Sequence, residues 1–162
     1  MTRRAPIVHY VPMPKNVVYE LLKLLSPSSD DLLMDLGCGD GRVVIAAARI
    51  YGSRGVGVEI REWLAKIARR NVLKAGVADK VDIIHGDFFR IRLTPATLVV
   101  LYLSTKVNEV LRLKFEKELK EGTKIASLDF EIPGWTPISV IETRSAIRSH
   151  KIYLYMFRKS KA

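Results

Sequence analysis

Cysteine is almost absent from this sequence. Cys38 stands alone among 162 residues, so no disulfide within the chain can brace the fold, and a reducing compartment is expected. Long hydrophobic runs are missing too: the longest, Leu98–Leu103, falls far short of the ~20 apolar residues of a membrane-spanning helix. The basic start Met1-Thr-Arg-Arg-Ala-Pro is followed only by Ile7-Val8-His9-Tyr10-Val11-Pro12, too short and interrupted for a signal-peptide core. A cytoplasmic protein with no membrane partner is therefore expected. Proline and glycine are sparse, at 7 and 10 residues, which excludes a fibrous or disordered chain. Acid is scarce relative to base, 17 residues against 27, for a formal charge of +10. That excess draws a protein toward polyanions or acidic protein surfaces. It equally suits a solvated, ion-paired surface of the heat-adapted kind, so charge alone selects no partner.

What remains is an ordinary globular composition, 48% hydrophobic and 27% charged, of a length that fits one domain spanning 1–162. There is no internal repeat. After Pro14, Val17, Val18, Leu21, Leu22 and Leu25 recur at helical spacing until Ser26-Pro27 ends the run. Strands are expected at 32–36, 56–60, 81–85, 97–103 and 123–128, with helices at 42–50, 62–75 and 106–120 between them. That alternation implies a parallel sheet with crossover helices. The β-rich runs 138–143 and 151–158 have no helix between them and suit an antiparallel pair.

Between the first strand and its helix lies Asp35-Leu36-Gly37-Cys38-Gly39-Asp40-Gly41. Glycines at 37, 39 and 41 permit a tight turn and let a ligand approach the main chain. A dinucleotide-binding turn has its third glycine one residue later, to seat a pyrophosphate on the helix N-terminus. Here an acid stands two residues before the first glycine, poorly placed for phosphate but suited to a cation. S-adenosylmethionine carries an amino group and a sulfonium and no phosphate. Glu59, beside Ile60 at the end of the second strand, stands where an acid accepts hydrogen bonds from ribose hydroxyls. Asp87, in His85-Gly86-Asp87-Phe88-Phe89, follows the third strand and suits an adenine amino group, with Phe88 against the ring. Three acids at adjacent strand tips make one cleft. Cys38 lies inside the turn with no basic neighbour to activate it, which argues against a thiolate nucleophile.

The acceptor should be read at the end of the fourth strand, Val100-Leu101-Tyr102-Leu103-Ser104. The Asp/Asn-Pro-Pro-aromatic run that serves base amino groups is missing, which counts against base N-methylation; ribose or ring-carbon methylation stays open. A lysine amine must instead lose its proton, and an apolar channel beside a sulfonium favours that. Tyr102 is the candidate to line this channel. Two segments are expected to flank the cleft: Tyr10-Val11-Pro12-Met13-Pro14, stiffened by its prolines into a cover over the cofactor, and Asp129-Phe130-Glu131-Ile132-Pro133-Gly134-Trp135, whose acids and aromatics suit a cationic lysine.

Over nearly its whole length the chain resembles the small archaeal broad-specificity protein lysine methyltransferases, and more distantly the mitochondrial lysine methyltransferases. The resemblance is carried by Tyr10-Val11-Pro12, Asp35 to Arg42, Gly57-Val58-Glu59, Val107-Asn108-Glu109-Val110-Leu111, Lys117-Glu118-Leu119-Lys120 with Gly122, and Phe130-Glu131-Ile132 followed by Gly134-Trp135. It implies a Rossmann-like seven-strand α/β fold, mostly parallel with the last strand inserted antiparallel and helices on both faces. It implies S-adenosylmethionine as methyl donor, lysines on several proteins including small basic chromatin proteins as acceptors, and no metal. Residues 1–25 become the cofactor-covering segment and first helix, and Ser104, Asn108, Glu131 and Trp135 the expected substrate side. Two residues depart from the pattern: Met13 stands in place of a threonine, and Pro133 falls within the Glu-Ile-x-Gly-Trp stretch. The competing readings are an RNA or DNA methyltransferase, with any nucleic-acid association of the lysine enzyme weak or indirect, and a cofactor-binding scaffold without catalysis.

Overall fold

In the computed structural model, which describes residues 8–160, alternating strands and helices build one seven-stranded sheet. The chain runs α1 (Lys15–Leu25), β1 (Leu32–Leu36), α2 (Arg42–Tyr51), β2 (Arg54–Glu59), α3 (Glu62–Lys74), β3 (Val81–His85), β4 (Leu98–Leu101), α4 (Thr105–Glu118), β5 (Lys124–Leu128), β6 (Ser139–Arg144) and β7 (Ser149–Met156). The strand order is β3-β2-β1-β4-β5-β7-β6. β1 to β5 pair in parallel, while β7 lies antiparallel between β5 and β6. The order reverses between β1 and β4, and in open α/β sheets ligands bind at the carboxyl ends of strands at such a switch point.

Period-2 side-chain alternation divides the core between the two faces. In β4, Leu98 and Val100 join the apolar faces of α1, α2 and α3, whereas Val99 and Leu101 join Val107, Leu111 and Phe115 of α4. Central strands are buried on both faces, hence their continuous apolar runs.

Two boundaries differ from the sequence expectation in ways that shape the cleft. β4 stops at Leu101 because its neighbour β1 turns away into Gly37 after Leu36, the partner of Leu101. Tyr102 and Leu103 are thereby released toward the strand tips, and Ser104 caps α4 by accepting a hydrogen bond from the Val107 amide. β2 ends at Glu59, leaving Ile60 outside the ladder and 56% exposed.

Gly57 fits the chain to its own turn. A Cβ there would lie 2.7 Å from Cys38 Sγ and 3.0 Å from Ile83 Cδ1, so β2 has room for Cys38 only because residue 57 has no side chain. Gly57→Ala is expected to overpack this spot and destabilise the protein by about 1–3 kcal/mol, read as a lowered denaturant midpoint with unchanged slope. An unchanged midpoint would show that Cys38 is not held against β2.

Candidate active site

The glycine turn is pinned to β2. The amides of Gly37 and Cys38 both donate to the Val58 carbonyl, at 2.8 and 2.9 Å, and Gly41 N donates to Cys38 O. Gly37, Gly39 and Gly41 have φ of 86°, 58° and 86°, values that L side chains adopt only with strain. Glu59, 2% exposed, locks the turn from below: one carboxylate oxygen accepts from Gly39 N at 3.1 Å and the other from Arg61 N at 2.8 Å. Asp40 is engaged by Arg42 through its amide, Nε and Nη2. Burial opposes ionisation of Asp40, but these hydrogen bonds outweigh it and its pKa is lowered.

Asp35 is different. It is 5% exposed in the middle of the sheet tip, and no donor among the described residues reaches its carboxylate. Burial first, then repulsion from Glu59 and Asp40, raises its pKa to about 7. An isolated buried carboxyl of this kind is costly in a resting protein and is resolved by an arriving cation.

Over the turn lies the chain from Val8 to Met13, tied down at both ends by arginines. Arg42 Nη1 donates to Met13 O at 2.8 Å, and Arg61 Nη2 donates to Val8 O. Between these anchors the Tyr10 ring covers Gly39 so closely that a Cβ on the glycine would lie 2.6 Å from Tyr10 Cε2. Trp63 meets the same ring edge-on.

Two adjoining recesses result, one over the glycine turn and one beside it at the tips of β2 and β3. The first is lined by Tyr10, Pro12, Met13, Asp35, Gly37, Cys38, Gly39, Asp40, Glu59 and Tyr102. The second is lined by Ile60, Gly86, Asp87 and Phe88, again with Gly37 and Glu59. One is rich in carboxyls and backbone; the other is largely apolar.

Comparison with known proteins gives this geometry a family. The family model described as the ANTKMT methyltransferase domain matches residues 35–139, from the glycine turn to β6. The chain belongs to that methyltransferase family. A protein-lysine N-methyltransferase of Saccharolobus islandicus is 43% identical over 157 residues, covering 96% of this chain and 98% of its own. The adenine nucleotide translocase lysine N-methyltransferase of Mus musculus is 32% identical over 142 residues; they make up 86% of this chain but only 62% of the mouse protein. Among solved structures, a Salinibacter ruber protein described as an RNA methyltransferase, in complex with S-adenosyl-L-homocysteine, superposes with a TM-score of 0.89 at 41% identity, covering 94% of this chain and 97% of that one. The Bacillus subtilis tRNA methyltransferase TrmK, at TM-score 0.75 and 13% identity over 93% of this chain and 68% of that one, shares the fold.

The remaining sequence-based candidates separate clearly. Gly41 lines neither recess; it caps the start of α2 with φ of 86°, and a Cβ there would meet Ala68 only at ordinary contact distance, 3.4 Å. Asp87 accepts a hydrogen bond from Phe89 N at 2.9 Å, so one carboxylate oxygen caps the short 3-10 turn at Phe88–Arg90. Cys38 faces β2, and burial, reinforced by Asp35 and Glu59, pushes its thiol pKa well up, which leaves it inert as a nucleophile.

The expected substrate side needs correction at two residues, Asn108 and Trp135. Ser104 serves as the α4 cap. Asn108 is wholly buried, its amide nitrogen donating to Ser127 Oγ and to the carbonyls of Phe130 and Glu131, so it holds the loop after β5 from inside and meets no substrate. Trp135 packs among Phe115, Tyr155 and Phe157, away from both recesses. Glu131 is exposed on the same loop but lines neither recess. The anchoring arginines went unforeseen; of the two, Arg42 had a signal in its place directly after the glycine turn.

Gly39→Ala is expected to displace Tyr10 and loosen the cover. The cofactor off-rate, measured by stopped-flow fluorescence, should then rise roughly tenfold, the equivalent of about 1.4 kcal/mol of lost contact. An unchanged off-rate would mean that Tyr10 does not retain the ligand.

Proposed function

We propose that this protein transfers methyl groups from S-adenosylmethionine to the ε-amines of lysine side chains in proteins. The observation that carries this reading is the carboxyl of Asp35, without a donor among the described residues, in the cleft at the strand tips, in a chain whose relatives in Saccharolobus islandicus and Mus musculus are described as lysine methyltransferases. Asp35 would hold the cofactor's amino group, Glu59 its ribose hydroxyls, and the recess of Ile60, Gly86, Asp87 and Phe88 its adenine. When bound, the cofactor supplies an electrophilic methyl carbon on a sulfonium.

Tyr102 lines the recess at the β4 tip, beside Leu103. Burial raises its pKa, with Asp129 adding to the effect and Arg148 opposing it, so its hydroxyl stays protonated at neutral pH and orients rather than takes a proton. Tyr102 would orient a lysine amine, its proton given up to solvent, toward the methyl carbon that the bound cofactor supplies. Alignment of the two reactants in the recess would supply much of the rate.

A broad range of acceptors, small basic chromatin proteins among them, is part of the proposal, as is a cytoplasmic site of action. No helix among the described residues is long and apolar enough to cross a membrane. No His/Cys/Asp/Glu group among them is arranged to hold a metal.

RNA methylation is the second reading, favoured by the description of the Salinibacter protein and by the +10 charge. Incubating the purified protein with isotope-labelled S-adenosylmethionine, lysine-rich proteins and RNA separates the two. Label on lysine by mass spectrometry, persisting after nuclease treatment, supports the proposal; label in RNA alone overturns it.

A further inference from the structure

A second polar assembly stands beside the cofactor recess, built from stretches far apart in the chain. Asp129 follows β5 with φ of 65°, a conformation that carries a steric penalty for a side chain other than glycine. It is held there on several sides. Its amide donates to Lys151 O at 2.7 Å, while Oδ1 accepts from Lys151 N at 3.1 Å. Oδ2 lies 2.9 Å from Nδ1 of the buried His150, whose Nε2 meets Ser145 Oγ at 3.1 Å. With Nδ1 protonated, His150 donates to the carboxylate, while the Ser145 hydroxyl also reaches the Arg148 carbonyl at 3.2 Å.

A third group completes the assembly. Arg148 Nη2 donates to Asp129 Oδ2 at 2.8 Å and to the Tyr102 hydroxyl at 3.1 Å. One cationic nitrogen thus sits between a carboxylate oxygen and the phenol that lines the cofactor recess. The two acceptors are well held: the Asp129 side chain is 12% exposed, and the Tyr102 ring stacks on Phe130 with 6.4 Å between centroids. The guanidinium is not. Its side chain is 50% exposed on the turn between β6 and β7, and its other hydrogen bond goes to the carbonyl of the adjacent Ser149.

We propose that Asp129 and Tyr102 form the docking site for the incoming lysine ammonium, and that Arg148 occupies this site until the substrate displaces it. The proposal rests on the lysine-acceptor reading above. A lysine Nζ in the place of Arg148 Nη2 keeps both contacts, and the Tyr102–Phe130 pair offers an aromatic wall to the methylene stem. Asp129 docks the lysine and does not act as its base. Although burial works against its ionisation, the hydrogen bonds from His150 and Arg148 prevail and lower its pKa. The strain at Asp129 is borne before substrate arrives, so the carboxylate need not reorganise on binding.

The test uses steady-state kinetics with polylysine as methyl acceptor and S-adenosylmethionine as donor. Asp129→Asn should raise the acceptor KM roughly tenfold, the loss of one charged contact, with cofactor affinity by calorimetry unchanged and partial rescue by Asp129→Glu. Arg148→Ala should lower the acceptor KM by removing the competing cation. Because Arg148 is exposed, this variant decides the matter even if Asp129→Asn fails to fold. An unchanged or raised KM in Arg148→Ala overturns the proposal while leaving lysine methylation intact. Wild-type protein that labels RNA but never polylysine overturns the lysine reading and this proposal together.

Discussion

Asp35→Asn is expected to cripple cofactor binding and at the same time to stabilise the ligand-free protein. The carboxyl is buried without a hydrogen-bonding partner, and burial with two neighbouring acids raises its pKa to about 7 from 3.8. Between those two values the folded state holds a proton that the unfolded chain has lost. The ligand-free fold therefore loses stability as pH rises from about 4 to 7, by up to ~4 kcal/mol when the shift is converted at 1.36 kcal/mol per pH unit. Asparagine removes the charge and that loss with it. At pH 8 the variant should melt several degrees above wild type, and at pH 4 the two should nearly coincide. Cofactor affinity should fall roughly 10- to 100-fold, as for a lost charge-assisted hydrogen bond. A variant that melts below wild type at pH 8, or binds the cofactor equally well, contradicts this account of Asp35.

Glu59→Ala should also lose the cofactor, but with the opposite effect on stability. Glu59 is satisfied in the resting protein, accepting from the amides of Gly39 and Arg61. Truncation strands the Gly39 N–H inside a buried turn, at about 1–3 kcal/mol, and removes the strut under a loop held at positive φ. Calorimetry should find affinity reduced at least as far as in Asp35→Asn, and the denaturant midpoint should fall. The two acids differ in the resting protein: Asp35 has no donor among the described residues, while Glu59 already accepts from two backbone amides.

The sequence announced the parallel sheet through the alternation of short, largely apolar runs such as Leu32–Leu36 and Leu98–Leu101 with helical segments, because central strands covered by crossover helices are buried on both faces. It announced the glycine turn because few side chains tolerate φ near +86°. Adjacent residues made that part of the site readable. Asn108 misled for a physical reason: a polar residue on a helix after a strand tip looks accessible, yet α4 turns that face inward with Val107, Leu111 and Phe115, and the amide finds its partners in the loop 22 and 23 residues on. Trp135 misled likewise, since an aromatic beside acids suits a cation as well as it suits a core. The Tyr102–Arg148–Asp129 assembly joins residues 46 and 19 positions apart, and no local pattern connects them before the sheet brings β4, β5 and β7 side by side.

The claim beneath all of this is that strand-tip acids, Asp35 first among them, hold a positively charged nucleoside. Titration calorimetry with S-adenosylmethionine, in buffers of different ionisation enthalpy, tests it most directly. At pH 6 binding should release about one proton as Asp35 gives up its hydrogen to pair with the ligand's amino group, and affinity should climb up to ~tenfold per pH unit toward pH 7. At pH 8 proton release from this carboxyl should be nearly absent, and in Asp35→Asn it should be absent at both pH values. Binding that exchanges no proton at pH 6 would contradict the claim.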